Sequence, residues 1–506
     1  MEPGPPPSPT PSSGPPTGAA PKVPRGPVFG GIALVALAAV VVVGAIQLLP
    51  ALTGGAASPE PSGAAAAPSA LIDLLASPVP SLGQSPTGSS GRPSGSTSPG
   101  GPLASAGSIV VVGNDGSLSL VDATGRSSVL SPPNDSLLGF PAWAPDGSRI
   151  AAIQGGAENA ILVFDPHRAT TGLPIEPVRP VVIFRSALIG PFYLSWTPDG
   201  RVSFLAEESG GLSLRVAPAD GSAPLDGTGP GAKIRAGNPF YFDWIERDRL
   251  LAHVGTGSAA FLGEIGLDGT ALSKALKAPG DFRSAVVSPD RKRISYVRAG
   301  TGAASDIVVA ARDGSSEHTM PVFGTAAVTF DPVGGQTIAS IGPSKPAKSA
   351  YTLPIGPLRL IDARSGKIRT LLDGTVVSFW WSPDGATIAA LRVQPVAGII
   401  PAVSPVSAAS AVPSPAPPVN EVRLLFLDVA TGDIRSQAVV EPGQLFIDQF
   451  LTYFDQYALS HRLWAPDSSS FLLPVVDRDG TTRVAVMFRN GDPARMIDGA
   501  IGFWSP

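Results

Sequence analysis

The sequence contains no cysteine in 506 residues. That absence excludes disulfides, thiolate metal sites, cysteine nucleophiles and lipid attachment through a thiol, so any membrane anchor must be a peptide segment. Excess charge is missing too: 36 Lys and Arg stand against 40 Asp and Glu, a net charge of -4. No basic field exists to favour nucleic acid through counterion release, and nucleic acid drops out as a partner. Histidine is scarce, with His167, His253, His318 and His461 forming no close pair and no HExxH, so neither a metal site nor a cofactor is expected. There is no G-x-S-x-G elbow, and helical periodicity over ten or more residues is nearly absent, which disfavours a βαβ sheet. No catalytic residue is expected, and the chain is read as a non-enzyme.

What the sequence does hold is 58 Gly and 56 Pro, unevenly spread. Residues 1–107 carry 21 of the prolines, whereas all seven Trp lie beyond them, so the chain divides near residue 107. Residues 1–27 have 11 Pro and one large apolar residue, Val23, and are expected to be a disordered, Pro-rich tail. Residues 28–49 (VFGGIALVALAAVVVVGAIQLL) are 22 residues without a charge, about 33 Å as a helix at ~1.5 Å per residue and enough to cross a bilayer. The 27-residue leader argues for an uncleaved anchor over a signal peptide, although Ala56 and Ala57 leave a cleavage site open. Lys22 and Arg25 precede the segment and the next charge is Glu60, so the N-terminus is placed in the cytoplasm and the rest outside. Residues 50–107, rich in Ala, Gly, Ser and Pro with three charges, read as a disordered stalk.

Residues 108–506 repeat an aromatic, small residue, Pro, Asp, Gly turn followed by a short β-branched run. The best copies are WAPDGSRIAAI from Trp143, WTPDGRVSFLA from Trp196, WSPDGATIAAL from Trp381 and WAPDSSSFLLPV from Trp464. Weaker copies surround Trp244, Val287 and Phe330, and Trp504 opens another at the end. Proline fixes φ, Asp bonds locally and Gly takes the left-handed position, which makes a tight link between two strands. Intervals of 40 to 53 residues, with one of 83, match propeller blades. Further strands such as AENAILVFDP and VRLLFLDVATGD complete four strands per repeat.

These residues resemble the TolB-type β-propeller repeat, a relative of the WD repeat carrying the PDG turn. The resemblance covers residues 108–506 and implies an all-β propeller of four-stranded blades acting mainly through contacts. Eight inner strands give eight blades, with seven as the alternative. Residues 108–131 supply outer strands without an inner one, while GAIGFWSP supplies an inner strand without outer ones, so the two termini are expected to close one blade.

The turn residues Asp146, Asp199, Asp290, Asp384 and Asp467 are assigned to turn chemistry, and Trp143, Trp196, Trp381, Trp464 and Trp504 to packing between blades. Two insertions stand out, residues 393–420 and 444–463, expected on one face of the ring. The second places Phe446, Phe450, Tyr453, Phe454 and Tyr457 at helical spacing, either packed inward over the channel end or offered as a partner-binding surface. The functional expectation is a membrane-anchored, extracytoplasmic binding or scaffolding module for a protein or envelope polymer. The alternative is an envelope polysaccharide lyase or hydrolase with its site at the channel mouth.

Overall fold

A computed structural model describes residues 101–133, 138–168, 179–209, 211–224, 233–255, 260–272, 285–299, 304–346, 354–396 and 420–506. The segments expected to be a cytoplasmic tail (1–27), an anchor (28–49) and a stalk, the last up to residue 100, lie outside the described residues, as do residues 397–419 of the first insertion. Among the described residues no helix is long and apolar enough to cross a membrane.

The described chain is organised as a β-propeller of antiparallel sheets. Apart from the sheet that closes the ring, the sheets step outward from the inner strand in chain order, because the local turns join strands that are neighbours in sequence. Leu138–Trp143, Ile150–Gln154, Asn159–Phe164 and Val181–Ser186 form one such sheet, and Gly190–Trp196, Val202–Glu208, Gly211–Ala217 and Lys233–Ala236 the next. A three-stranded sheet from Phe240 to Gly266 and a four-stranded sheet from Val286 to Val322 follow. Between Ala327 and Val440 lies a seven-stranded sheet containing the 14-residue strand Ile368–Trp381. Its first part is the outer strand that pairs with Leu358–Ile361, and its second part, from Thr375, pairs with Ile388–Val393.

The chain termini close the ring as expected. Ile501–Trp504 pairs with Ser108–Val112 in the register Ile109↔Trp504 to Val112↔Ile501, so the last strand is the inner strand of a sheet whose other three come from the start of the domain. Gly499 permits the approach: a Cβ there would sit 2.4 Å from Val111 Cγ1, and its φ of +154° lies in a region other residues rarely adopt.

The PDG turns are built as their chemistry requires. In the Trp143 copy the Gly147 N–H donates to Ala144 O at 2.9 Å, while the Ser148 N–H donates to Asp146 Oδ1 at 3.0 Å. Gly147, Gly200 and Gly385 take φ of +72°, +83° and +67°. Where the glycine is missing the turn survives at a cost: Arg291 and Ser468 hold φ of +59° and +62° in the same role. In the copy at Phe330 the inverted order brings the cap two positions nearer the aromatic, and Asp331 accepts the N–H groups of Gly334 and Thr337 at 2.7 Å each. The carboxyls of Asp146, Asp199, Asp290, Asp384 and Asp467 are held below the usual range by hydrogen bonds within their turns, Asp467 at about 2.

The motif tryptophans join neighbouring sheets in one recurring way. Trp143 Nε1 donates to Phe503 O at 3.2 Å, Trp196 Nε1 to Ala142 O at 2.9 Å and Trp464 Nε1 to Trp380 O at 3.1 Å. In each case the acceptor is the residue before the aromatic position of the preceding copy. The indoles of Trp381 and Trp504 have no acceptor among the described residues.

Residues 101–107 belong to the domain rather than to a free tether. Leu103 is 1% exposed, its N–H donates to Ala123 O, and its carbonyl accepts the Ser470 hydroxyl at 2.9 Å. Ser105 donates to Asp467 Oδ2 through both its N–H and its hydroxyl, each at 2.6 Å. This strap bridges the closing sheet and the last one at the end of the ring that carries the PDG turns.

Candidate functional site

The remaining sheet has the strands Ser470–Val476, Thr482–Phe488 and Arg495–Asp498, and the inner strand facing Ser470–Val476 is split in two. Pro442 bridges Val475 and Trp464 bridges Phe471, so the antiparallel register jumps by 18 residues between two points on one strand. The paired ends are held by further bonds: the Val476 N–H donates to Glu441 O at 2.8 Å and the Leu472 N–H to Leu463 O at 2.7 Å. The second insertion is therefore not a face loop ahead of an inner strand, as its position after the previous outer strand suggested. It is a bulge inside that strand, and it has only the interior of the ring to enter.

The bulge packs there as a broken helical segment. Phe446–Phe450 forms a wide turn, Leu451–Tyr453 a tight one and Phe454–Tyr457 a single α-turn. The expected stripe at helical spacing is present, and it faces inward. Phe446, Phe450 and Phe454 are fully buried and Tyr457 is 6% exposed, whereas Tyr453 is 42% exposed. Phe446 stacks on Phe450 at 4.9 Å, and Phe450 stacks on Tyr457 at 4.8 Å. The column meets inner strands from several sheets: Tyr457 lies 5.4 Å from Phe140 and 5.3 Å from Tyr193, Phe450 5.9 Å from Phe503, and Phe454 5.5 Å from Phe379. At ~0.5–1.5 kcal/mol per pair beyond area burial, these contacts tie the sheets to one axial plug.

Polar groups of the plug, which sequence reasoning missed, complete the inner strands. An inner strand leaves backbone groups on its channel edge without a ladder partner. Gln456 supplies one for Phe242: its Oε1 accepts the Phe242 N–H at 3.2 Å and its Nε2 donates to Phe242 O at 2.9 Å. Nε2 also donates to the Tyr193 hydroxyl, which donates in turn to Gln456 O, both at 2.9 Å. The one signal available was a strongly polar residue inside an aromatic stripe.

His461 ends the column. It is 2% exposed, and burial pulls its pKa down to about 4, so the ring is neutral. Nε2 lies 3.3 Å from Phe140 O, which only accepts, so Nε2 carries the proton; Nδ1 then accepts the Ser460 hydroxyl at 2.7 Å. In the strand Phe240–Glu246, Asp243 accepts the Val287 N–H at 2.8 Å, and burial pushes its carboxyl up to about 7.

Where the plug reaches the turn-bearing end of the ring it leaves a cavity of about 100 Å³. Trp143, Trp196 and Trp504 contribute walls, and Ser195, Ser460 and Arg462 the polar lining. Among the described residues no group of three His, Cys, Asp or Glu is placed to hold a metal ion.

No protein-family model and no curated protein matches the chain. Solved structures do. The dihydro-heme d1 dehydrogenase NirN is 15% identical, over 86% of this chain and 81% of that one, with a TM-score of 0.48. The C-terminal WD40 domain of Sif2 is 13% identical over 69% of this chain and 84% of that one, with a TM-score of 0.42. TolB from Acinetobacter baumannii is 16% identical over 52% of this chain and 65% of that one, with a TM-score of 0.32. The similar solved structures thus include both TolB and a WD40 domain, while the propeller architecture itself stands on the strand pairings of this chain.

Proposed function

We propose that this chain is a membrane-anchored, extracytoplasmic propeller that acts as a non-enzymatic binding or scaffolding module for a protein or envelope polymer. The anchor in this reading is Val28 to Leu49, with the stalk following it. The ring is read as eight blades, the seven-stranded sheet counting as two that share Ile368–Trp381. One observation carries the proposal: the chain fills its own channel with the aromatic column, which leaves recognition to the outer ends of the ring.

Of those two ends, the one bearing the PDG turns receives the strap at residues 101–107, through which the stalk joins. The opposite end faces away from the tether. It carries Leu188, 90% exposed in the connection between Val181–Ser186 and Gly190–Trp196. Of the aromatic stripe only Tyr453 is open to a partner; Phe446, Phe450, Phe454 and Tyr457 serve the interior.

Photo-crosslinking residues placed singly at Leu188, Tyr453 and Val333 of the full-length protein in intact cells test this. Val333 is 67% exposed on a turn at the strap end. One discrete product at 188 or 453 and none at 333 is expected. Absence of a product at every position, or the same products at all three, overturns the reading.

A further inference from the structure

The last sheet and the closing sheet touch at both ends of the ring and stand apart between. Away from the strap, Asn114 Nδ2 donates to Thr482 O at 3.1 Å. At the strap end, Arg495 Nη1 donates to Gly101 O, and a Cβ on Gly125 would sit 2.9 Å from Arg495 Nη2. Between these contacts lies a groove of about 180 Å³.

Its floor is one face of the closing sheet, and the strand register fixes which side chains stand on it. Ser119 and Val121 alternate along Leu118–Asp122, with Val111 opposite Ser119 and Ser127 opposite Val121. Residues two apart on a strand, and residues directly opposite across an antiparallel pair, point to the same face. All four line the groove, so their side chains face it. Ile497 and Asp498 of the last sheet form the far wall.

This face is not built to close the gap. On the neighbouring seam, Ala160, Leu162 and Phe164 of the first sheet are buried in one core with Leu118 and Leu120 of the closing sheet. Here the floor carries hydroxyls instead, and those of Ser119 and Ser127 make no hydrogen bond among the described residues. Ser117 also lines the groove, but its hydroxyl is committed to Asp115. Ser119 and Ser127 are diagonal neighbours, ~7–8 Å apart, with Val111 and Val121 beside them. Two hydroxyls at that spacing over an apolar strip match a six-membered ring with hydroxyls on opposite edges and C–H groups on its face. Size agrees, since the groove exceeds the ~150 Å³ that accommodates benzene. Charge narrows the class further. Arg483 is shared among Asp477, Asp479 and Asp498, so the rim keeps an excess of negative charge and disfavours an acidic ring.

We infer that this groove binds one pyranose unit of a neutral glycan, with the hydroxyls of Ser119 and Ser127 engaging those of the sugar and Val111 and Val121 lying against its ring. The groove is on the flank of the propeller, apart from the recognition end proposed above, and does not depend on that reading.

Saturation-transfer NMR titrations of the full-length protein in phosphatidylcholine nanodiscs, at constant ionic strength, compare methyl glucoside, methyl galactoside and methyl mannoside with methyl glucuronide. At least one neutral pyranoside is expected to bind about tenfold or more tightly than the glucuronide. Ser119→Ala should weaken that binding about fivefold, the loss of one hydrogen bond worth ~1 kcal/mol. Ser119→Leu, which fills the floor, should abolish it, while Ser365→Ala, on a turn of another sheet, should leave it unchanged. Thermal melts of each variant establish that it folds. No saturation transfer to any neutral pyranoside, equal binding of the glucuronide, or unchanged binding in Ser119→Leu overturns the inference.

Discussion

Replacing Gln456 with Leu removes a side chain of similar size whose amide holds three hydrogen bonds inside the ring. Phe242 then loses partners for both its N–H and its carbonyl, which face a channel filled with aromatic rings. A buried backbone group left without a partner costs ~1–3 kcal/mol, so the pair costs about 4 kcal/mol. Tyr193 adds little, because its hydroxyl keeps Gln456 O as acceptor. The roughly 400 residues from 101 onward have an unfolding entropy of ~2.1 cal/mol/K each, which converts about 4 kcal/mol into a fall in Tm of about 5 °C. Calorimetry and equilibrium urea unfolding of the full-length protein measure both quantities. Gln444→Ala is the control: Gln444 sits in the same insertion but is exposed, donating to Asp448 Oδ1 at 2.7 Å, and its loss should stay within about 0.5 kcal/mol. If Gln456→Leu costs no more than Gln444→Ala, the plug does not complete the inner strands and the account of the channel is wrong.

His461 and Asp243 should give opposite pH dependences. His461 titrates at about 4 when folded against ~6.5 unfolded, so its contribution is complete above 6.5 and is lost as pH falls, about 2 kcal/mol by pH 5; His461→Phe should flatten that limb of a stability profile. Asp243 keeps its proton to about 7 when folded but ionises near ~3.9 unfolded, so stability falls as pH rises between those values, and Asp243→Asn should remove that slope. Arg291→Gly relieves a left-handed residue and should stabilise by about 1 kcal/mol in urea unfolding, whereas Ser468→Gly should gain less, since Ser468 Oγ accepts the Asp384 N–H at 3.0 Å. Leu103→Ala should cost about 2–5 kcal/mol by the same measurement, as a buried leucine of the strap rather than a residue of a tether.

Much of the architecture was legible because its chemistry is local. The Pro-Asp-Gly turn states where two strands meet, whichever sheet they join, and the unmatched strands at 108–131 and 501–504 could only complete each other. The inward aromatic stripe was half legible. Spacing put Phe446, Phe450, Tyr453, Phe454 and Tyr457 on one stripe, of which Tyr453 is exposed, but what the stripe meets depends on where the insertion leaves its strand. That is decided by the pairing of Pro442 with Val475, 33 residues further on and marked by no motif, and the 18 inserted residues hid it. Ser460, His461 and Arg462 were unreadable for the same reason: the cavity they line is made with Trp143, Trp196 and Trp504, residues brought there by ring closure. The strap at Leu103 looked like the end of a low-complexity stalk, and only the burial of one leucine distinguishes it.

The split inner strand also makes the plug a replaceable cassette. Its two ends rejoin the same strand, so the path of the chain around the ring is the same with the insertion or without it. A sequence of another length and composition between Gly443 and Leu463 would leave the order of the sheets untouched and redraw the axis of the molecule. Variation at this single site would therefore alter the interior and both channel mouths together, while the turns, the closing strands and the strap continue to define the same ring.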